Sequence, residues 1–447
     1  MNNVPEDIAQ IVLEQIEGSR QALTDLCLEL GNLPDTPGHE SLVGKAVSRW
    51  LDYAGISART QTISEESINV IGIVRGTGDR AGGGRSLILN AHMDTQGAEP
   101  EGDDAIRHQV RGAWVKNDLV YGRSLANDKA QVAAELIAAR AISDCRITLM
   151  EDLYVTAVAQ ETSAPIGDDA IKNWSGIGPI TSQVREGHGA RWLVEHGVVA
   201  DYALVIEVSN FTVTTAQAGY LRLRISVPGN IPYTPGINRS LGNSGTPNPF
   251  ERAGHIVTAL ENWAREWEVS GREEYEGGVI VPRAQVYEIT GSGPAWTEPT
   301  DYCFVFFDIR LGPSARPTEI ISSVRHHLEE TGIPIEINPY DYRRGYVADD
   351  VSNFLSALKT AHHSVLGAEL PMAEPRMTSM WRDANAFNEA GIPAIGYGPP
   401  TQEEMGSGLA GAIRPISIED LLATSKVIAL TALQVCGVAP NTTVEIK

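Results

Sequence analysis

Apolar residues Ile8, Ile11, Val12, Ile16 and Leu23 recur at helical spacing over residues 5–30, which predicts amphipathic helix there. A loop, "GNLPDTPGHE", leads to a second predicted helix over 41–54. The apolar runs in "INVIGIVRG" and "SLILNAHMD" read as strands, separated by "TGDRAGGG". That glycine run lacks a following Lys-Ser/Thr, so it reads as a turn and not as a phosphate cradle. A short strand in "DLVYGRS", a helix over "AQVAAELIAARAI" and a buried strand over "DLYVTAVAQ" come next. Strands alternating with amphipathic helices predict an α/β fold, a mixed sheet with helices on both faces.

Beyond Val205 the pattern changes. "YLRLRISVPG" alternates as a half-exposed strand would, and a Gly-, Pro- and Asn-rich loop follows. A helix is expected over 253–267, then strands in "GGVIVPRAQVYEIT" and "DYCFVFFDIRL", then a helix over 318–331. Two helices on an antiparallel sheet make a self-contained α+β unit of ordinary domain size. Helix–strand alternation then resumes in "NFLSALKTAHHSVLG", "GIPAIGYGPP" and "IEDLLATSKVIALTALQVCG". The expected organisation is a catalytic domain in two parts, 1–215 and 337–447, with a lid domain inserted at 216–336. On the lid helix, Trp263 and Trp267 are four apart and share one face.

At 447 residues the chain exceeds one ordinary core, in keeping with two domains. A net charge of −22 without a basic run argues against nucleic acid or an anionic membrane as partner. The four cysteines, Cys27, Cys145, Cys303 and Cys436, form no Cys-x-x-Cys, so buried free thiols are expected. The first twenty residues carry acidic groups where a signal peptide has basic ones, and no stretch suits a bilayer. A cytoplasmic protein is the expectation.

Candidate chemistry begins at His92 and Asp94, at the mouth of a buried strand. Alone, His-x-Asp fits a hydrogen-bonded turn as well as a metal ligand whose ring is oriented by the acid. Three further acids stand at strand ends or loop starts: Asp128 in "GRSLANDKA", Glu161 after "LYVTAVAQ" and Glu207 after "ALVI". In open α/β sheets ligands gather at the carboxyl ends of strands, so groups remote in sequence can converge there.

These words, with "YGRSLANDKA", "QET", "VIEVSN", "FFDIRLGP" and "RDANAFNEAGIPAIGYGPP" in that order, resemble the zinc metallopeptidase family of aminoacylase, succinyl-diaminopimelate desuccinylase and bacterial glutamate carboxypeptidase. The resemblance runs over nearly the whole chain. It implies His92, Asp128 and Glu207 as metal ligands, Asp94 as the orienter of His92, and Glu161 as general base. Imidazole and carboxylates suit Zn²⁺ or Mn²⁺. The resemblance also implies a homodimer formed through the inserted domain.

The family's second metal would need a Glu after the base and a late histidine. Here Thr162 follows Glu161, Ala410 stands at the late position, and no histidine follows His363. One divalent transition metal per chain is therefore expected, unless Glu186, beyond an apparent insertion containing Trp174, folds back as a ligand. Tyr233 stands where relatives place a substrate-polarising histidine. Arg310 matches a carboxylate-binding arginine, a structural salt bridge being the equal alternative. Arg382 replaces a small residue near the site, and Arg343 and Arg344 are further candidates.

The expected function is hydrolysis of a non-peptide C–N bond in a small carboxylate-bearing substrate; the resemblance within the family implies deamination of an aromatic amine like 5-nitroanthranilate. Two alternatives stand beside it: hydrolysis of N-acyl amino acids or dipeptides, and binding of a small molecule without turnover. The remaining histidines, among them His362 and His363, are expected to be partly exposed bystanders.

Overall fold

Every residue of the strand Leu87–His92 is buried, as a strand covered on both faces requires. Its side chains divide by alternation. Leu87, Leu89 and Ala91 enter one core, and Ile88 enters another on the opposite face. The computed structural model describes residues 4–35, 37–94, 112–122, 125–162, 187–230, 248–276, 278–291, 302–401, 415–440 and 442.

The strand lies in a seven-stranded mixed sheet, in the spatial order Ser57–Ser64, Ser67–Val74, Leu153–Val158, Leu87–His92, Tyr202–Ile206, Ala394–Tyr397 and Val213–Thr214. The middle four strands are parallel, and the flanking strands pair antiparallel. Helices Ala130–Asp144 and Ile418–Cys436 cover one face. They are apolar almost all round and lie side by side, with Ser425 Oγ donating to Ala134 O at 2.9 Å. Helices His188–Glu195 and Ala384–Glu389 cover the other through Leu193 and Phe387.

The N-terminal helical stretch is two helices, Glu6–Glu17 and Arg20–Gly31, and not one run. The chain turns at Gly18–Ser19, whose N–H groups donate to Glu14 O and Ile16 O. "GGVIVPRAQVYEIT" likewise divides into Gly278–Ile280 and Arg283–Gly291. The break falls at Pro282, which has no N–H for a ladder.

A second sheet is wholly antiparallel, in the order Arg283–Gly291, Tyr302–Leu311, Gly219–Pro228, Glu336–Arg343. Helices Pro249–Ser270 and Pro317–Glu329 pack on one face, over Leu221, Leu223, Ile225, Val305 and Phe307. Trp263 and Trp267 stack at 5.6 Å between centroids. The fourth strand extends beyond residue 336, so this sheet takes in residues on both sides of that expected boundary.

The strand Gly219–Pro228 is not half-exposed as its alternation predicts. Tyr220 and Arg224 are fully buried. The polar-looking face is covered because its charges are paired and its rings stacked. Arg222 meets Asp308 at 3.3 Å and Asp341 at 3.2 Å, and the Arg224 guanidinium lies 4.7 Å above the Phe304 ring. His362 is also buried, beside Tyr397 Oη at 3.0 Å. Its helix turns it into the sheet, so it is no exposed bystander. All four cysteines are buried and free. Among the described residues no helix is long and apolar enough to cross a membrane.

One side chain ties the sheet edge to the segment that continues toward Glu161. Buried Asn69 donates to Gly189 O at 2.8 Å and accepts from Ala159 N at 3.0 Å. Asn69→Ala leaves the Ala159 N–H buried without its acceptor, and we expect a loss of about 1–3 kcal/mol in urea unfolding. A loss under about 0.5 kcal/mol, the range of an ordinary surface change, would show that water replaces the amide.

Candidate active site

The carboxyl ends of the parallel strands deliver the candidate groups to one place. Leu87–His92 ends on His92, and its neighbour Leu153–Val158 runs on through Ala159 and Gln160 to Glu161. Tyr202–Ile206 is followed by Glu207. Asp128 comes from a single wide turn, Leu125–Lys129, at the head of helix Ala130–Asp144, after a cis Asn127–Asp128 peptide bond. Lys129 turns the other way, into a buried pair with Asp35 at 2.9 Å. Gly398 follows the strand Ala394–Tyr397 beside Glu207, where a Cβ would overlap the Glu207 carbonyl.

Asp94 organises this end of the sheet. One carboxylate oxygen accepts from Glu161 N at 2.9 Å; the other accepts from Thr162 N at 2.8 Å and from the Thr162 hydroxyl. The imidazole of His92 places Nδ1 3.1 Å from the Asp94 backbone carbonyl and 3.7 Å from its carboxylate. The main chain of Asp94 therefore holds the ring, and its carboxylate holds the segment that carries Glu161. With Nδ1–H donating, Nε2 keeps its lone pair for a ligand. It lies 3.7 Å from Glu161 Oε2. Asp128 Oδ2 accepts from His92 N at 3.3 Å.

Behind these groups Glu40 accepts from Gly38 N at 2.6 Å, Gln160 N at 3.2 Å and Ser67 Oγ at 2.8 Å. Burial and the nearby Asp94 carboxylate push Glu40 up to about 8. Burial, and then the facing Glu207 carboxylate, hold Asp128 well above the usual carboxylate range, and the same two causes act on Asp383. Asp383 is fully buried, with Oδ2 accepting from Asn90 Nδ2 at 3.1 Å.

A divalent cation would balance this crowd of carboxylates. His92 Nε2, Asp128 Oδ1 and Glu207 Oε1 are buried and without hydrogen-bond partners among the described residues, which is where buried polar groups require an explanation. One imidazole nitrogen and two carboxylate oxygens fit Zn²⁺ or Mn²⁺ in kind. As placed, no three His, Cys, Asp or Glu side chains among the described residues stand at mutual ligating distance. Glu207 leans instead on Arg382, with Nε 3.0 Å from Oε2. That N–H is not aligned on the oxygen, so the contact is an ion pair without a good hydrogen bond.

The candidate substrate residues separate. Arg382 is buried at the site, donating from Nη2 to Val208 O at 2.7 Å. Arg310 is held by Asp308 at 3.0 Å, and its guanidinium lies over the Tyr220 ring. Arg344 lies over the Tyr346 ring. Tyr233, Glu186, Trp174 and Ala410 lie outside the described residues. Sequence reasoning passed over Trp381, Asp383 and Glu40. The acid next to Arg382 in "RDANAF" was the available signal for Asp383. Nothing in the sequence marked Glu40.

Residues 88–434 match the family model described as peptidase family M20/M25/M40. Two curated relatives are named N-formyl-4-amino-5-aminomethyl-2-methylpyrimidine deformylase. The one from Bacillus subtilis is 23% identical over 88% of this chain and 86% of its own. The one from Halalkalibacterium halodurans is 24% identical over 75% and 76%. Among solved structures, the aminopeptidase PepT from Bacillus cereus superposes with a TM-score of 0.64 at 15% identity, over 94% of this chain and 99% of its own. A dinuclear metal-binding peptidase from Bacillus subtilis gives 0.59 at 16% identity, over 93% and 98%. The chain belongs to peptidase family M20/M25/M40 and is a hydrolase of C–N bonds.

Proposed function

We propose that the protein is a metal-dependent amidohydrolase with one metal per chain, acting on a small, carboxylate-bearing, non-peptide amide. The observation that carries this reading is the set of three unsatisfied buried atoms, His92 Nε2, Asp128 Oδ1 and Glu207 Oε1, beside Glu161. These residues would hold the cation, which supplies a Lewis acid and brings the pKa of a water to about 7. Glu161 takes a proton from the attacking water and hands it to the leaving nitrogen as the C–N bond breaks. An acid and an amine are released. Asp94 keeps Glu161 in place through the main chain and positions His92 through its own carbonyl.

A single metal is supported by Thr162, whose hydroxyl is spent on Asp94, and by the absence of any histidine after His363. The two curated relatives are named for removing a formyl group from an aminopyrimidine, which favours amide cleavage over deamination of an aromatic amine. The cytoplasmic reading has support from the four buried free thiols, which a reducing compartment keeps unpaired. The homodimer reading has support from Tyr287, Ile289 and Tyr302, exposed on the strands at one side of the lid sheet.

Elemental analysis of protein purified without chelator should find about one equivalent of Zn²⁺ or Mn²⁺ per chain, lost in His92→Ala. About two equivalents would mean that another group restores a second site, and would move the peptidase reading to first place.

Glu161→Ala should lower turnover roughly 10²–10⁴-fold with metal content unchanged. Unchanged turnover would remove Glu161 from the mechanism. N-formyl and N-acetyl derivatives of amino acids and aminobenzoates should release their acid without ammonia. Ammonia from the free aromatic amine would instead establish deamination, and binding without either product would establish a non-catalytic protein.

A further inference from the structure

Arg382 and Trp381 are consecutive, buried, and both left with donors unused. Arg382 spends Nη2 on Val208 O and sets Nε against Glu207, while Nη1 has no partner among the described residues. Trp381 is 4% exposed, and its indole Nε1–H also has no partner there. A buried donor without an acceptor is costly, so two on adjacent residues call for an acceptor that the described residues do not supply.

The indole cannot swing away to find one. Its ring lies edge-to-face with Tyr220 at 6.3 Å, and on another side it touches Gly187, where any Cβ would overlap it. Gly187 has φ +69° and donates its N–H to Glu161 O at 2.7 Å. The Trp381 ring is therefore braced against the segment bonded to the general base, and Arg382 against the third metal-ligand candidate.

We propose that Arg382 Nη1 and Trp381 Nε1 form an oxyanion-binding subsite that selects substrates bearing a carboxylate next to the scissile C–N bond. The proposal rests on the amidohydrolase reading and gives it a substrate class. A carboxylate offers two acceptor oxygens in one plane, and a fixed guanidinium with an indole N–H supplies two directed donors. Closeness to Glu207 requires the carboxylate to sit near the reacting bond, as in N-acyl α-amino acids or ortho-N-acylaminobenzoates. Arg310 is less suited to this work, since Asp308 already engages it.

The test uses metal-loaded protein and matched substrates: N-formylanthranilate against its carboxamide, and an N-formyl amino acid against its amide. Trp381→Phe removes the N–H and keeps the ring; Arg382→Lys keeps the charge and loses the fork. In each, the kcat/KM ratio of carboxylate over carboxamide should fall roughly ten- to hundredfold through KM, the worth of a hydrogen bond to a charged group. Metal content is measured alongside, because Arg382 touches Glu207.

A ratio unchanged in both variants overturns the subsite. So does an equal loss of kcat on both members of a pair, which would assign the donors to the scissile carbonyl. Titration calorimetry with benzoate and benzamide reads the subsite without turnover. Benzoate binding that Trp381→Phe weakens about tenfold upholds it even if no amide is cleaved, in which case only the amidohydrolase reading fails. Benzoate binding unaffected by Trp381→Phe, or absent in the wild type, overturns the subsite whatever the protein hydrolyses.

Discussion

The carboxylate of Asp94 ties together the segments that continue from two neighbouring parallel strands. It accepts two backbone N–H groups and one hydroxyl from Glu161 and Thr162, while its own carbonyl sets the ring of His92. One residue thereby fixes the separation between an imidazole nitrogen and the carboxylate proposed as base. Hydrogen bonds to an ionised acceptor are the stronger kind, and burial shields them from competing water. Glu40 braces the same segment from behind through Gln160 N.

Packing on both faces of the sheet makes such a joint possible. Apolar residues alternate into two cores, so the strands cannot slip by one residue without exchanging every side chain between them. The register that places His92 opposite Val158 is fixed by that constraint. The site therefore sits on rigid ends, and its unsatisfied atoms reflect the chemistry of the place more than slack in the fold. Asp128, Glu207 and Asp383 crowd together with Arg382 as a neighbouring cation. This electrostatic arrangement fits a bound cation and leaves directed donors beside it.

The antiparallel sheet follows a different logic. One face is an ordinary apolar contact with two helices. The other buries arginines and aromatic rings that a simple alternation rule assigns to solvent. Arg222 pairs with Asp308 and Asp341 there, Tyr220 Oη donates to Asp341 Oδ2, and Tyr220 reaches Trp381, the neighbour of Arg382. The antiparallel sheet thus touches, through this aromatic pair, the segment that leads into helix Ala384–Glu389.

The sequence alone determined most of the strand and helix succession and the mixed α/β sheet, and it marked His92, Asp94, Asp128, Glu161 and Glu207 as candidates. Those are legible because apolar periodicity is local and because strand ends are where an α/β sheet presents its acids. Thr162 after Glu161 and the lack of a histidine after His363, on which the one-metal proposal rests, are likewise facts of the sequence. Only the tertiary structure decided which atom of Asp94 holds His92, that Arg382 and not Arg310 lies against Glu207, and that Trp381, Asp383 and Glu40 belong to the site's surroundings. Those depend on rotamers and on contacts between segments hundreds of residues apart, such as Asn90 with Asp383. No periodicity along the chain encodes which of two arginines a neighbouring aspartate has already claimed.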